Sequence, residues 1–163
     1  MRASDITLGP FRVDQHGLLS PSDPESFPRF AVRWRDRLVQ AHMRQPSAAN
    51  TRHGTLNLSS RIGRVPSTAG PTPSAANRAN LLDVLRQLPR LLPAGWRMRL
   101  MPDHSVLVEA QTELILPVSA ISLVTEMSLF LLSLTPYLDV LDAEGIGAAA
   151  FGSDVTEGGT VNI

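Results

Sequence analysis

The front of the chain alternates between apolar and polar positions with the period of two that is typical of half-buried β-strands. Phe30, Val32 and Trp34 fall on one face of a predicted strand, whereas Arg33 and Arg35 fall on the other. Short runs of glycine, proline and serine separate the alternating stretches. The simplest assembly of these pieces is an antiparallel meander of about five strands.

Helices are predicted in the rear half of the chain. Asn80 is a suitable N-cap for a first helix, and Ser119 is a suitable N-cap for a longer one over residues 120–134. Thr135 and Pro136 then indicate the N-cap and first position of a separate short helix.

A hairpin is predicted between the two main helices, and its loop length decides which residues face each other. A three-residue loop puts Leu100 opposite Val108 and Arg99 opposite Glu109, which suits both faces of the hairpin. A two-residue loop would instead bring Met98 opposite Glu109. We prefer the first register.

The long helix is apolar over well over half of its circumference, and its polar positions form a narrow stripe. Such a helix cannot rest on one small sheet with its back in water, so it is either sandwiched or used for self-association. The residues predicted to mediate oligomerisation are Leu123, Met127, Phe130, Leu131 and Leu134.

Residues 114–134 must also be tested as a membrane span, because they are long and apolar. Pro117 and Glu126 interrupt the stretch, and a carboxylate near the bilayer centre costs roughly 2.5–3.5 kcal/mol. We therefore interpret the stretch as a buried helix and expect no membrane association. The first residues lack the apolar core of a secretory signal and the chain has no cysteine, so we expect a cytoplasmic protein.

The predicted architecture is a single α+β domain over residues 1–145, with an antiparallel sheet packed against two or three helices. Its two sub-blocks are a β-rich part over residues 1–65 and a helix–hairpin–helix part over residues 78–145. Residues 66–77, rich in proline, serine and alanine, read as a connector. Residues 146–163 read as a flexible, acidic, glycine-rich tail.

Charge divides the chain into two halves. All 15 basic residues are arginines that precede position 100; with six carboxylates they give residues 1–99 a net charge of +9. Residues 100–163 carry nine carboxylates and neither arginine nor lysine, which gives them a net charge of −9. Such asymmetry suggests either a charged partner or pairing of the chain with itself.

Four arginines on three predicted strands, Arg12, Arg33, Arg35 and Arg61, can lie on the solvent face of one sheet. This arrangement predicts a surface that recognises an anion such as an acidic protein segment, because guanidinium groups bind carboxylates in pairs of hydrogen bonds. The alternative is a solvated face that the acidic half of the same chain balances. Nucleic acid is disfavoured, because aromatic residues do not interleave with these arginines and the acidic half would repel phosphates.

Catalytic motifs are absent from the sequence, and we predict no catalytic residue, no metal site and no cofactor. The four histidines fall in predicted turns, strand ends or loops, without the spacing of metal ligands on a helix. Ser59, His104 and Asp14 could form a triad on paper, but no nucleophile elbow or glycine-rich phosphate loop accompanies them.

The order of elements over residues 80–141, a helix, a hairpin and a long apolar helix, resembles part of the small α+β fold of type III secretion chaperones and their relatives. The resemblance implies a homodimer formed around the apolar helix. It also implies that the sheet holds an extended segment of a client protein without ATP or any cofactor.

Three functional hypotheses follow. The preferred one is a non-enzymatic module for protein binding or assembly, which uses the arginine-rich sheet face and the apolar helix. The second is a small-ligand binder or enzyme with a pocket between sheet and helix, lined by Phe30, Trp34 and Met127. The third is an accessory protein that contacts nucleic acid through the arginines.

Overall fold

The computed structural model describes residues 6–23, 27–44, 52–65, 75–146 and 160–161, and these form the predicted α+β fold. The strands are β1 (Ile6–Leu8), β2 (Phe11–Val13), β3 (Leu19–Pro21), β4 (Arg29–Trp34), β5 (Arg37–Arg44), β6 (His53–Arg64), β7 (Arg97–Leu100), β8 (Ser105–Ile115) and β9 (Thr160–Val161). The helices are α1 (Ala75–Gln87), a following 3-10 turn at Leu88–Arg90, and α2 (Ala120–Ala143). Most of the predicted connector and tail lies outside the described residues.

The strands lie in two sheets, where the sequence predicted that the front strands form a single meander. Strands β1, β2 and β3 form a small antiparallel sheet of their own. The larger sheet has the order β7-β8-β6-β5-β4-β9, and in it only β9 runs parallel to its neighbour. The small sheet separates because it covers the start of α2: the backbone N–H of Leu19 donates to the carbonyl of Val118 at 2.8 Å, and Phe11 is 3% exposed.

The two faces of the larger sheet differ sharply in polarity. We call the face against α2 the inner face; it carries apolar side chains such as Val39, Leu58 and Val108, all at most 3% exposed. We call the opposite side the outer face. Its side chains come from β4, β5, β6, β8 and β7 and are Arg29, Ala31, Arg33, Leu38, Gln40, His42, Arg44, Asn57, Ser59, Arg61, Leu107, Glu109, Gln111, Glu113, Arg97 and Arg99.

Helix α2 covers the inner face, and its buried residues are Leu123, Met127, Phe130, Leu131, Leu134, Leu138 and Leu141. All five residues predicted to mediate oligomerisation are in this set, at 0–6% exposure. The structure therefore corrects their assignment: in the folded chain they contact the protein's own sheet and leave no surface for a second subunit. The ring of Trp96, at the start of β7, adds to this core 4.7 Å from the ring of Phe130.

Helix α2 runs without a break through Pro136, where the sequence predicted that a second helix begins. Proline lacks the N–H that an inner helical position donates. The Thr135 hydroxyl, predicted as a cap, instead donates to the carbonyl of Leu131 at 2.9 Å. Burial of the last turns, where Leu138 and Leu141 are fully buried, outweighs the local cost of proline.

The hairpin of β7 and β8 has neither predicted register. Leu100 faces Val106 and Met98 faces Val108, a shift of two residues from the preferred register. The loop begins one residue earlier than predicted, because His104 adopts a φ of 64° and its N–H donates to the Met101 carbonyl at 2.9 Å. Because side chains alternate between the two faces of a strand, a shift of the pairing by two residues keeps every side chain on its predicted face.

Helix α1 begins at Ala75, five residues before the predicted cap Asn80, so it includes the last residues of the predicted connector. The two predicted sub-blocks share one sheet, since β8 pairs with β6 along almost its whole length. The pairing shifts between Arg61 and Gly63, which is the position of a β-bulge.

The exposed side of α2 carries large aliphatic residues: Ile121, Val124, Leu129 and Leu132 are 54–79% exposed. Among the described residues, α2 is the one helix that is long and apolar enough to span a membrane, and 33% of its most apolar window is buried within the protein. By length and composition, a core helix of a soluble protein meets the same criterion.

Gly63→Ala is expected to lower the free energy of unfolding by about 1–3 kcal/mol, the usual range for overpacking a core. A Cβ at this position would overlap the side chain and the backbone carbonyl of Ile146, which is fully buried after α2. Urea denaturation measures the change. Ser59→Ala, on the outer face of the same strand, is the control and should change it by less than about 0.5 kcal/mol. Equal midpoints would contradict the close contact.

Candidate binding face

The outer face contains a concave region of about 1560 Å³. Strands β4, β5, β6 and β8 form its floor, and the segment before β7 forms one wall at Gly95 and Trp96. Its charged and polar lining residues are Arg29, Arg33, Asp36, Gln40, His42, Asn57, Ser59, Arg61, Arg97, Glu109, Gln111 and Glu113. The period of two along each strand produces this lining, because most apolar residues of the pattern are directed towards α2; Ala31, Leu38 and Leu107 are apolar residues that lie on the outer face.

Two of the four predicted partner-binding arginines line this region, and two lie elsewhere. Arg33 and Arg61 are on the outer face. Arg12 is exposed on β2, in the small sheet. Arg35 is in the turn between β4 and β5, with a φ of 47°, and its guanidinium contacts Asp139 of α2 at 2.6 Å. The structure thus does not place the four on one sheet face.

Arg37 is a buried arginine that the sequence analysis did not single out. Its side chain is 2% exposed and pairs with the carboxylate of Asp142, near the end of α2. Its Nε donates to the carbonyl of Ile62 at 2.7 Å, and one Nη donates to the carbonyl of Arg35 at 3.1 Å. Arg35 and Arg37 therefore fix the β4–β5 turn to the C-terminal end of α2.

Ion pairs within the chain neutralise part of the opposite charges of its two halves. Besides Arg35 and Arg37, Arg61 pairs with Asp103 at 3.3 Å and Arg99 with Glu109 at 2.8 Å. In the described part of the chain, three arginines of the concave region have no ion pair. They are Arg29, Arg33 and Arg97. Two carboxylates of the lining, Asp36 and Glu113, likewise form no ion pair with an arginine of the described chain, so these five groups leave a net charge of +1.

A row of polar side chains crosses the floor of the region. Arg29 of β4 pairs in register with His42 of β5, His42 with Asn57 of β6, and Asn57 with Gln111 of β8. We call these four residues the polar row. The sequence does not predict this row, because it indicates a loop or a strand end for His42 and only a strand position for Asn57. It does not show which residues of β5 and β6 face each other.

Burial, followed by the positive charges of Arg29 and Arg44, lowers the pKa of His42 below its usual range. Its ring also meets the ring of Phe27 edge-on, with centroids 6.2 Å apart. His42 is therefore neutral at pH 7 in the free protein.

The carboxylates that the sequence placed beside histidines have structural contacts in turns. Hydrogen bonds from the N–H of Leu18 and then of His16 lower the pKa of Asp14. Hydrogen bonds from the side chain and then the N–H of Ser105 lower the pKa of Asp103. Asp14 and His104 belong to turns of different sheets, while Ser59 lies within β6, and nothing in the geometry assembles a triad. No group of three potential metal ligands occurs among the residues with described positions.

The chain's own C-terminal strand borders the outer face. Thr160 and Val161 of β9 pair in parallel with Ala31 and Val32 of β4. The edge of β4 therefore accepts an extended segment through its backbone, next to the alternate residues Arg29 and Arg33 that face outward.

Comparison of the chain with protein-family models, with curated proteins and with solved structures finds no match.

Proposed function

We propose that this protein is a non-enzymatic binding module for protein assembly or client capture, which holds an extended acidic protein segment on its concave outer face. The observation that carries the proposal is the concave region itself, whose arginines Arg29, Arg33 and Arg97 have no ion pair among the described residues. The proposal agrees with the weak chaperone resemblance of residues 80–141.

The edge of the larger sheet indicates that the bound segment is extended. Extended peptides bind sheets by adding a strand at an edge, with backbone hydrogen bonds giving affinity and alternate side chains giving specificity. Strand β9 uses the edge of β4 in this way within the same chain. A client segment, or the C-terminal segment of another copy, would replace β9 or lie beside β4 and direct alternate side chains towards Arg29 and Arg33.

The charge of the segment follows from the arginines. Guanidinium groups without a partner are best matched by carboxylates, which accept two parallel hydrogen bonds. The acidic residues Glu109 and Glu113 on β8 limit the positive field to the side of β4 and β5, so the region suits one acidic segment better than a long polyanion.

The exposed side of α2 is the remaining surface for self-association under this proposal. Ile121, Val124, Leu129 and Leu132 replace the buried residues named from the sequence. Light scattering across a range of salt concentrations measures the oligomeric state, and a monomer throughout would remove assembly through α2 from the proposal.

Arg33→Glu should reduce the affinity for a labelled synthetic peptide of alternating glutamate and valine by at least about tenfold, because like charges brought together in an interface cost several kcal/mol. Fluorescence anisotropy measures the affinity. Arg90→Glu is the matched control: it makes the same charge change at an exposed residue of the 3-10 turn and should leave binding unchanged. Arg35 is unsuitable for this test, because its reversal would also break the contact with Asp139.

Two outcomes would contradict the proposal. One is equal affinity of the two variants for the acidic peptide. The other is a wild-type protein that ignores the peptide but binds an unrelated single-stranded oligonucleotide with a steep salt dependence, which would favour the nucleic-acid hypothesis.

A further inference from the structure

The polar row contains two buried polar atoms without a partner. Within the described part of the chain, Nε2 of His42 and Nδ2 of Asn57 are buried and form no hydrogen bond. Buried polar groups in proteins almost always have a partner, because leaving one unpaired costs free energy. Two such atoms at positions paired across neighbouring strands are therefore unusual, and both residues line the concave region.

The two side chains start from neighbouring positions of the sheet. His42 and Asn57 are directly opposite each other in the antiparallel pairing of β5 and β6. Side chains at such positions start from Cβ atoms about 4.5–5.5 Å apart. Arg29 is directly opposite His42 on the other side, so a guanidinium, an imidazole and an amide follow one another across the floor.

The chemistry of these three groups favours an anion with two or more acceptor atoms. The Asn57 Nδ2 is a donor only, the Arg29 guanidinium is a donor only, and the His42 ring donates from Nε2 when that nitrogen carries the proton. Arg44, on the same face of β5, adds a second positive charge near His42. On β8, the carboxylates Glu109 and Glu113 flank Gln111 two residues away on either side, and Glu113 lies 4.0 Å from Nδ1 of His53.

We infer that Arg29, His42 and Asn57 form a carboxylate-binding subsite on the floor of the concave region. The inference rests on the proposed function, since the carboxylate belongs to a part of the extended segment that leaves the β4 edge and crosses the outer face above β5 and β6. That carboxylate is either an acidic side chain or the C-terminal group of the segment; both present the same two oxygens. Gln111 closes the row on the far side as a further hydrogen-bonding group.

The subsite is tested with the full-length protein and the same labelled glutamate–valine peptide. Asn57→Asp replaces a donor by a carboxylate of equal size and should weaken binding at least about tenfold, because a hydrogen bond to a charged group is lost and a repulsion is added. His42→Phe keeps an aromatic ring but removes both nitrogens and should also weaken binding. Gln40→Glu is the matched control: it adds a negative charge to the next row of the same face and should weaken binding much less.

A pH series gives a readout that a purely structural role would not affect. A bound carboxylate favours protonated His42, so affinity should rise as the pH falls from 8 towards the lowered pKa of the free protein. The charged and titratable groups on that face are Arg29 and Arg33 from β4, Arg44 from β5 itself, His53 and Arg61 from β6, Glu109 and Glu113 from β8, and Arg97 and Arg99 from β7. In His42→Phe the rise should disappear.

Two modified peptides distinguish the two possible sources of the carboxylate, the C-terminal group and the glutamate side chain. Amidation of the peptide C-terminus should abolish binding if the terminal group is bound, and replacement of glutamate by glutamine should abolish it if the side chain is bound.

Loss of binding in Arg33→Glu together with normal binding in Asn57→Asp and His42→Phe overturns the subsite and leaves the proposed function intact. A wild-type protein without affinity for the peptide overturns both. Thermal melting of each variant confirms that it is folded.

Discussion

Arg37→Ala should lower the free energy of unfolding by about 1–3 kcal/mol, because it leaves the carbonyl of Ile62 without its buried donor. The Arg37 side chain is 2% exposed and binds Asp142, the carbonyl of Ile62 and the carbonyl of Arg35. Its loss leaves the Ile62 carbonyl without this donor and releases the β4–β5 turn from α2. Urea denaturation followed by circular dichroism measures the effect.

Arg33→Ala is the matched control for Arg37, because Arg33 is on the neighbouring strand but exposed. We expect a change within about 0.5 kcal/mol, as for most surface substitutions. Asp142→Asn tests the other partner and should also lower the free energy of unfolding, because the guanidinium of Arg37, whose side chain is 2% exposed, loses its counter-charge. Similar stabilities for the two arginine variants would show that Arg37 does not carry this connection.

Leu134→Ala should lower the free energy of unfolding by about 2–5 kcal/mol, because it leaves a cavity in the core between sheet and helix. Leu134 is fully buried. The same denaturation experiment measures the loss, and its size should not depend on protein concentration, since the contacts are within one chain.

Leu132→Ala provides the contrast for Leu134, two positions away on the same helix and 64% exposed. It should change stability by less than about 0.5 kcal/mol. If Leu134→Ala were instead to leave the free energy of unfolding unchanged and to dissociate an oligomer, the burial of this face of α2 within the chain would be contradicted.

The alternation of apolar and polar residues was sufficient to predict the α+β class and the faces of the strands. Arg33 and Arg61 lie on the outer face because strand side chains alternate whatever the neighbouring strand is. The same pattern could not say which strands pair, and so it did not separate the small sheet from the larger one. That division depends on Leu19 and Phe11 packing at the start of α2, which is a contact between distant parts of the chain.

The errors in the site have identifiable causes. A turn at residues 35–37 is predicted from the sequence, but Arg35 is also counted among the arginines of the sheet face; in the structure Arg35 and Asp36 both have positive φ and form the turn itself. Arg37 was unpredictable because its acidic partner is 105 residues away in the chain. The helix residues were assigned to an oligomer interface because an apolar pattern does not distinguish a sheet of the same chain from a second subunit.

Helix α2 touches distant parts of the molecule with its two ends. At its start, the N–H of Ala120 donates to the carbonyl of Gly17 at 2.9 Å, and at its end Asp139 and Asp142 contact the β4–β5 turn. Its 24 residues, at about 1.5 Å each, give the helix a length of roughly 36 Å. One unbroken helix therefore connects two hairpins that share no strand: its start supports the small sheet, and its end holds the β4–β5 turn.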